Sequence, residues 1–288
     1  WGQGYRFPSM AELFISTEFS GFTIYPNPEL KPESGWSAEI GLKQGVKIGK
    51  WMGYLDVAGF IMQYDDMMEF SFGKWGDVLN VTSSGDIDKG LGFKSVNVGN
   101  TQISGVEFSI SSSGEITKDL TINILAGYTY MQHFSLNPDE IYARNEYLVS
   151  FNNVVADSTV YMDSVSYSNS SSDPSVLKYR YKNIAKVDVE IVYKKYTLGA
   201  SFRYNDFMRN IDHIFTTTEI EGEIPGINEA RQKFKNGDFI IDGRIAYNLN
   251  DNFRLGFIVN NVLNREYMSR PADMEIPRTY AVQLSMKL

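Results

Sequence analysis

The chain has 288 residues and a net charge of −8, with 27 Lys and Arg against 35 Asp and Glu. That balance excludes nucleic acid as a partner, which needs a basic face. The absence of cysteine excludes a disulfide framework and thiolate metal sites. The 18 Tyr and 18 Phe favour strands over helices. No apolar run reaches the ~18 residues of a transmembrane helix. The mean hydropathy of −0.26 still suits a membrane barrel, because only every second residue of each strand faces lipid. The chain opens at Trp1 without Met or a secretory signal, so the mature start is expected elsewhere, or the chain is expected to be a fragment.

In chain order, a short opening strand is expected near 1–6. Over 36–46, Trp36, Ala38, Ile40 and Leu42 alternate with Ser37, Glu39, Gly41 and Lys43. Such alternation puts one set on each face of a strand. Residues 52–68 carry apolar groups on both faces and cannot be oriented. Strand 95–113 sets Val106, Phe108 and Ile110 against Glu107, Ser109 and Ser111. Strand 119–133 sets Leu120, Ile122, Ile124, Ala126, Tyr128 and Tyr130 against Thr121, Asn123, Gly127 and Thr129. Strands 179–195 and 196–208 continue with Val187, Val189 and Ile191, then Leu198, Ala200 and Phe202. Strand 237–249 is the clearest, Phe239, Ile241, Ile245 and Tyr247 opposing Asp242, Arg244 and Asn248. Strands 252–264 and 278–288 complete about ten, each interior one longer than the ~9–11 residues that cross a bilayer.

Alternation alone fits a soluble sandwich as well as a membrane barrel. Three features favour the barrel. Tight turns at 46–51, 113–118, 195–196 and 249–252 alternate with long connections near 14–35, 69–100, 134–178, 206–236 and 265–277, as periplasmic turns and extracellular loops do. The apolar faces end in aromatics, namely Trp36, Tyr128, Tyr130, Tyr193, Tyr196, Phe239, Tyr247, Phe253 and Tyr280, which suits girdles at the headgroup level. The chain ends in an alternating strand, though with Leu288 where outer-membrane barrels usually carry an aromatic residue. The expected fold is therefore all-β, an antiparallel transmembrane β-barrel.

Several passages resemble one family. Gly4-Tyr5-Arg6-Phe7-Pro8-Ser9, Glu12-Leu13-Phe14 and Asn27-Pro28-Glu29-Leu30-Lys31-Pro32-Glu33 stand in order before the strand at Trp36. Asn100 and Gly105-Val106-Glu107 follow, then Asn260-Asn261-Val262-Leu263-Asn264-Arg265-Glu266-Tyr267 and Pro277-Arg278-Thr279-Tyr280. This succession resembles the TonB-dependent outer-membrane receptors, in a style closest to the Bacteroidetes group. The resemblance implies a barrel of ~22 strands around a plug domain. Residues 1–288 would be its C-terminal portion, with the plug and the first strands absent. It implies energy-coupled uptake of a scarce nutrient (iron chelate, corrinoid, glycan or peptide) in a Gram-negative outer membrane. The implied partners are outer-membrane lipid, the plug and remaining strands on the same or a second chain, the TonB complex and a surface lipoprotein. A passive porin-like barrel and a soluble β-sandwich adhesin or carbohydrate module are the competing readings.

The polar face carries Arg203, Arg244, Arg254, Asp242 and Glu190, which would line a wet lumen. The loop aromatics Phe72, Trp75, Tyr142, Tyr161 and Phe215 suit two roles, stacking on a sugar or siderophore, or packing the loops together. Arg6 and Arg278 read as ion-pairing residues at strand ends, and Pro26-Asn27-Pro28 as a rigid turn. His133 and His213 lack matched spacing and read as surface residues rather than metal ligands. Ser168–Ser172 reads as a mobile tip, and the acidic residues of 134–178 as solvated. No enzyme motif is present, and no cofactor is expected.

Overall fold

Period-two alternation becomes ten antiparallel strands in one sheet, each hydrogen-bonded to its neighbour in chain order. They are β1 (Gly2–Arg6), β2 (Glu33–Ile48), β3 (Trp51–Asp65), β4 (Thr101–Thr117), β5 (Leu120–Ser135), β6 (Asn183–Tyr193), β7 (Tyr196–Asn205), β8 (Asp238–Asn248), β9 (Phe253–Asn260) and β10 (Thr279–Met286). The computed structural model describes residues 1–19, 21–81, 90–151, 154–271 and 273–287, so Leu288 lies outside the described residues.

Pairing orients β3, the strand left ambiguous by its sequence. Leu55 stands opposite Gln44 and Ile110, and Val57 opposite Leu42 and Phe108. Its apolar row therefore joins that of β2 and β4, while Asp56 stands opposite Lys43 and Ser109 on the other face. The shared apolar face is bare, with Ile40 at 82% and Val282 at 74% exposure. A sandwich would bury that face under a second sheet, and a water-soluble chain rarely exposes so wide an apolar patch. Hydrocarbon is the solvent that suits it.

The expected girdle residues all lie on this face, in two rows. Tyr193, Tyr196 and Tyr247 stand side by side at the turn end, Tyr196 and Tyr247 with ring centroids 4.8 Å apart. Tyr128, Tyr204 and Phe239 mark the loop end. From Tyr196 to Tyr204 the chain rises roughly 27 Å, or roughly 20 Å along the bilayer normal at a tilt of ~40°, near the ~25 Å height of an apolar band.

The buried apolar core lies elsewhere. Except for Ile240, it belongs to the long connections: Leu30, Met67, Phe72, Trp75, Leu91, Val96, Val98, Tyr167, Leu177, Met208, Ile211, Phe215, Ile220 and Ile227. These connections carry structure of their own. Thr17–Phe19, Phe22–Tyr25, Leu91–Asn97 and Met68–Lys74 form a four-stranded sheet, and Val154–Ser166, Ile141–Phe151 and Val78–Val81 a three-stranded one. A short helix, Ile227–Lys233, lies in the connection before β8.

Five expectations need correction. The strand expected over 95–113 is two, because Gly99 takes a φ of 84° and turns the chain between Asn97 and Thr101. Ser168–Ser172 is packed, not a mobile tip: the Ser172 N–H donates to the Ile211 carbonyl at 2.9 Å and Ser168 Oγ to Asp139 at 2.5 Å. Asp173 is likewise paired, accepting from Arg209 at 2.6 Å. His133 is only 5% exposed and lies within β5, not on the surface. His213 is exposed as expected. Arg6 pairs with Glu12 and Glu33, both at 2.9 Å. Arg278 makes no ion pair among the described residues; its Nη1 meets the Tyr280 hydroxyl at 3.4 Å.

Candidate functional site: the polar face and the loop assembly

The polar face of the sheet is built as a cross-strand ladder. Arg244 on β8 grips Asp188 on β6 with both terminal nitrogens at 2.8 Å and reaches Glu190 at 3.4 Å. Ser201 donates to the same Asp188, and Asn123 to Glu190 at 3.5 Å. Gly199 makes this possible. It faces Arg244 in register, and a Cβ there would come within 2.4 Å of the guanidinium carbon. Arg203 pairs with Asp242 at 3.1 Å, and Asp242 also accepts the Asn261 N–H at 2.8 Å. Arg203, Arg244, Asp242 and Glu190 therefore belong to one face and are linked in two groups. Arg254 shares the face through its pairing with Asn248 and makes no ion pair among the described residues.

At the loop end, three connections converge on one buried ammonium. Lys178, 1% exposed, lies 2.6 Å from Asp212 and 2.8 Å from Glu69. Asp212 is fully saturated: Ser71 Oγ donates at 2.9 Å, the Phe72 N–H at 2.8 Å, and the Tyr179 hydroxyl completes the set. Glu69 Oε1 has the ion pair without hydrogen-bond geometry. Burial accordingly pushes the Glu69 carboxyl up, despite the opposing pull of Lys178. Lys178 is held well above its ordinary value: burial opposes its charge, and Asp212 and Glu69 outweigh that. The Tyr167 hydroxyl accepts the Lys178 N–H at 2.5 Å, and burial pushes its own ionisation up.

The loop aromatics take places around this network. Phe72 and Phe215 stack at 4.7 Å within one apolar cluster with Met208, Ile211, Ile220 and Ile227. Trp75 is buried in a second, with Met67, Val96, Val98, Tyr167 and Leu177, and Tyr142 packs against it. These positions join the loops to one another. Tyr142 also borders a recess of about 350 Å³, together with Asn27, Glu29, Lys31, Lys94 and Arg144. Tyr161 lies on the strand Val154–Ser166, and its side chain is outside the described residues. Pro26-Asn27-Pro28 is the expected turn, the Leu30 N–H returning to the Asn27 carbonyl at 3.3 Å. Lys178, Asp212 and Glu69 carried no local signal in the sequence, since Ser71 and Asp212 meet across 141 residues. Among the described residues no group of His, Asp or Glu is placed to hold a metal ion.

Comparison with known proteins agrees with this geometry. The family described as TonB dependent receptor-like, beta-barrel, matches residues 1–262. The chain belongs to the TonB-dependent receptor family. It is an outer-membrane protein of the Gram-negative type, as members of that family are. Hemoglobin and hemoglobin-haptoglobin-binding protein A of Haemophilus influenzae is 22% identical over 211 residues, 66% of this chain and 19% of that protein. Among solved structures, the copper transporter OprC superposes with a TM-score of 0.56 at 14% identity, over 99% of this chain and 36% of its own. The ferric-catecholate import receptor Fiu of E. coli K12 gives 0.52 at 18% identity, over 95% and 30%. Both share the TonB-dependent receptor barrel fold. The chain thus spans about a third or less of each of these relatives.

Proposed function

We propose that this chain is wall and extracellular loops of a receptor that imports a scarce nutrient with energy delivered through TonB. The observation that carries the reading is the division of the molecule. One sheet face suits lipid, the other is laced with charge, and the long connections at one end are fastened into a single roof. A passive pore needs no such roof, whereas a receptor that must hold dilute cargo does.

On this reading residues 1–288 are the C-terminal portion of the receptor. The plug and the remaining strands, on the same or a second chain, would complete the barrel against the open edges of β1 and β10. The named relatives import copper or a ferric catecholate or bind hemoglobin. The cargo proposed is of the same broad kind, an iron chelate, haem source, corrinoid, glycan or peptide. Arg203, Arg244, Arg254, Asp242 and Glu190 would face the plug and the passing cargo. The recess beside Tyr142 is the proposed first contact, and a surface lipoprotein is the proposed partner for bulky cargo.

The test is uptake by cells carrying the full-length receptor, with and without TonB. Dependence on TonB supports the proposal. Uptake that persists without TonB would instead make this a passive porin-like barrel.

A further inference from the structure

The three-stranded and four-stranded sheets of the long connections differ in how their edges are protected. Among the described residues, three of the edges are blunted. Val78–Val81 is four residues long and Thr17–Phe19 three, too short to take a partner. Met68–Lys74 is longer, but side chains occupy its outward backbone: the Met68 N–H donates to Glu33 and the Phe72 N–H to Asp212, both at 2.8 Å. The remaining edge is the strand Val154–Ser166. It ends the three-stranded sheet, runs for 13 residues and pairs on one side only, with Ile141–Phe151, among the described residues. Edge strands are ordinarily guarded by shortness, Pro or Lys. Val154–Ser166 is long and contains neither Pro nor Lys.

Only the base of this edge is filled. Asn169 Nδ2 donates to the Ser164 carbonyl at 2.7 Å, and its Oδ1 accepts the Ser166 N–H at 3.0 Å. Those groups therefore point away from Ile141–Phe151. In an antiparallel strand the outward groups recur at every second residue, and the register is unbroken from Thr159 to Val165. The N–H and C=O of Met162, and of Val160 beyond it, accordingly point outward as well. No hydrogen bond reaches the Met162 N–H from that side among the described residues, and Met162 is 63% exposed. The strand is anchored from below. Tyr142 meets Ser170 at 2.9 Å, Asn145 donates to the Lys74 carbonyl at 2.7 Å, and Tyr167 is fully buried beside Lys178. The open edge is thus held in place before anything joins it, which lowers the cost of joining.

We propose that this edge takes an extended, basic peptide from outside the cell as an added strand. Main-chain hydrogen bonds to Val160 and Met162 give the affinity, and charge gives the choice of partner. The hairpin Ile141–Ser166 carries Arg144 against Glu146, Asp157 and Asp163, a net charge of −2, and Asp163 is exposed. A second copy of the hairpin would bring like charge to the same edge, whereas a basic peptide brings the opposite charge. The proposal rests on the receptor reading only in placing the loop end outside the cell.

The experiment uses the full-length receptor in nanodiscs, without TonB, and a labelled eight-residue peptide of alternating Lys and Val. Binding is read by fluorescence anisotropy and backbone protection by hydrogen exchange. The peptide is expected to bind in a salt-sensitive manner, and its counterpart of alternating Glu and Val to bind far less. N-methylation of its central amides keeps the charge and removes the donors. It should weaken binding about 100-fold, from roughly fivefold for each of about three hydrogen bonds. Met162→Pro removes one outward donor from an edge strand, where Pro is tolerated, and should weaken binding roughly fivefold. Should that variant disturb the hairpin, exchange in the natural receptor carries the test. Bound peptide should slow exchange at the Val160 and Met162 N–H groups and leave those of Tyr161 and Asp163, which face Ile141–Phe151, unchanged. Equal binding by the methylated and unmethylated peptides overturns the proposal, since charge alone would then hold the peptide. So does protection that is uniform along the strand, or none. Receptor self-association that the peptide displaces gives the edge to a second copy and overturns it too. Absence of peptide binding by a receptor whose uptake depends on TonB overturns it and leaves the proposed import function standing.

Discussion

Asp212 and Glu69 share one ammonium but differ in what else they hold, and substitutions should separate them. Asp212→Ala leaves the Lys178 charge with Glu69 alone and takes the acceptor from three further donors in a buried site, costing about 3–5 kcal/mol. It should be read as faster protease cleavage across all three loops. Glu69→Gln removes a carboxyl whose ionised form burial disfavours, so it should leave the loops as resistant as before or slightly more so at neutral pH. The sign of the pH effect follows. The folded loops hold the Glu69 proton more tightly than the unfolded chain, so this contribution is complete below the ordinary carboxylate value of 4.5. It is lost as pH rises through the raised value of the folded state. The difference in cleavage rate between the natural chain and Glu69→Gln should therefore grow with pH across that window; a difference independent of pH would refute the assignment. On the polar face, Gly199→Val should push the Arg244 guanidinium off Asp188, observed as loss of that pairing in a structure of the variant. Single residues were the least legible level of the sequence. Arg244, Asp242 and Glu190 could be placed on one face by counting in twos. Lys178 and Asp212 could not be matched, because nothing near either one specifies the other.

At the level of strands the two faces should respond oppositely to one side chain. Val189 stands between Ile124 and Ala200 at mid-strand on the apolar face. Val189→Arg there should cost about 2–4 kcal/mol, the expense of a charge near the bilayer midplane. Ser111→Arg, on the polar face of β4, should fall within about 0.5 kcal/mol. Heat-modifiable gel migration of the reconstituted receptor checks both, and equal losses would mean that the faces are misassigned. Strands β5 to β9 could be read directly, because most of their apolar side chains fall on one face. β3 could not, because Tyr54, Phe60 and Met62 occupy its polar face, and only pairing to β2 and β4 resolves it. The strands within the loops were invisible for a different reason. Some of their pairings join different loops, as when Phe22–Tyr25 pairs in parallel with Leu91–Asn97.

For the molecule as a whole, the wall has two edges, β1 and β10. β1 covers β2 only as far as Ser37, so the rest of β2 is unpaired on that side among the described residues. Unpaired backbone groups are not tolerated in hydrocarbon. Residues 1–288 expressed alone should therefore aggregate or self-associate rather than yield a heat-modifiable monomer, and co-expression with the complementary receptor segment should rescue that form. The architecture was legible at this scale because its cause is periodic and repeated along the chain. The cargo was not, because recognition rests on loop side chains brought together from distant positions.

The contact between Ser71 and Asp212 has one more consequence. Four wall strands, β4 to β7, separate the two residues in the chain. A slip of two residues in any one pairing keeps every side chain on its proper face, so lipid cannot detect the error. It would, however, carry the loops above it about 7 Å along the strand. Lys178, Glu69 and Asp212 would then miss one another and remain as separate buried charges. The ion cluster thus proofreads the wall beneath it. It needs every intervening strand in register, so only a correctly registered wall allows it to close.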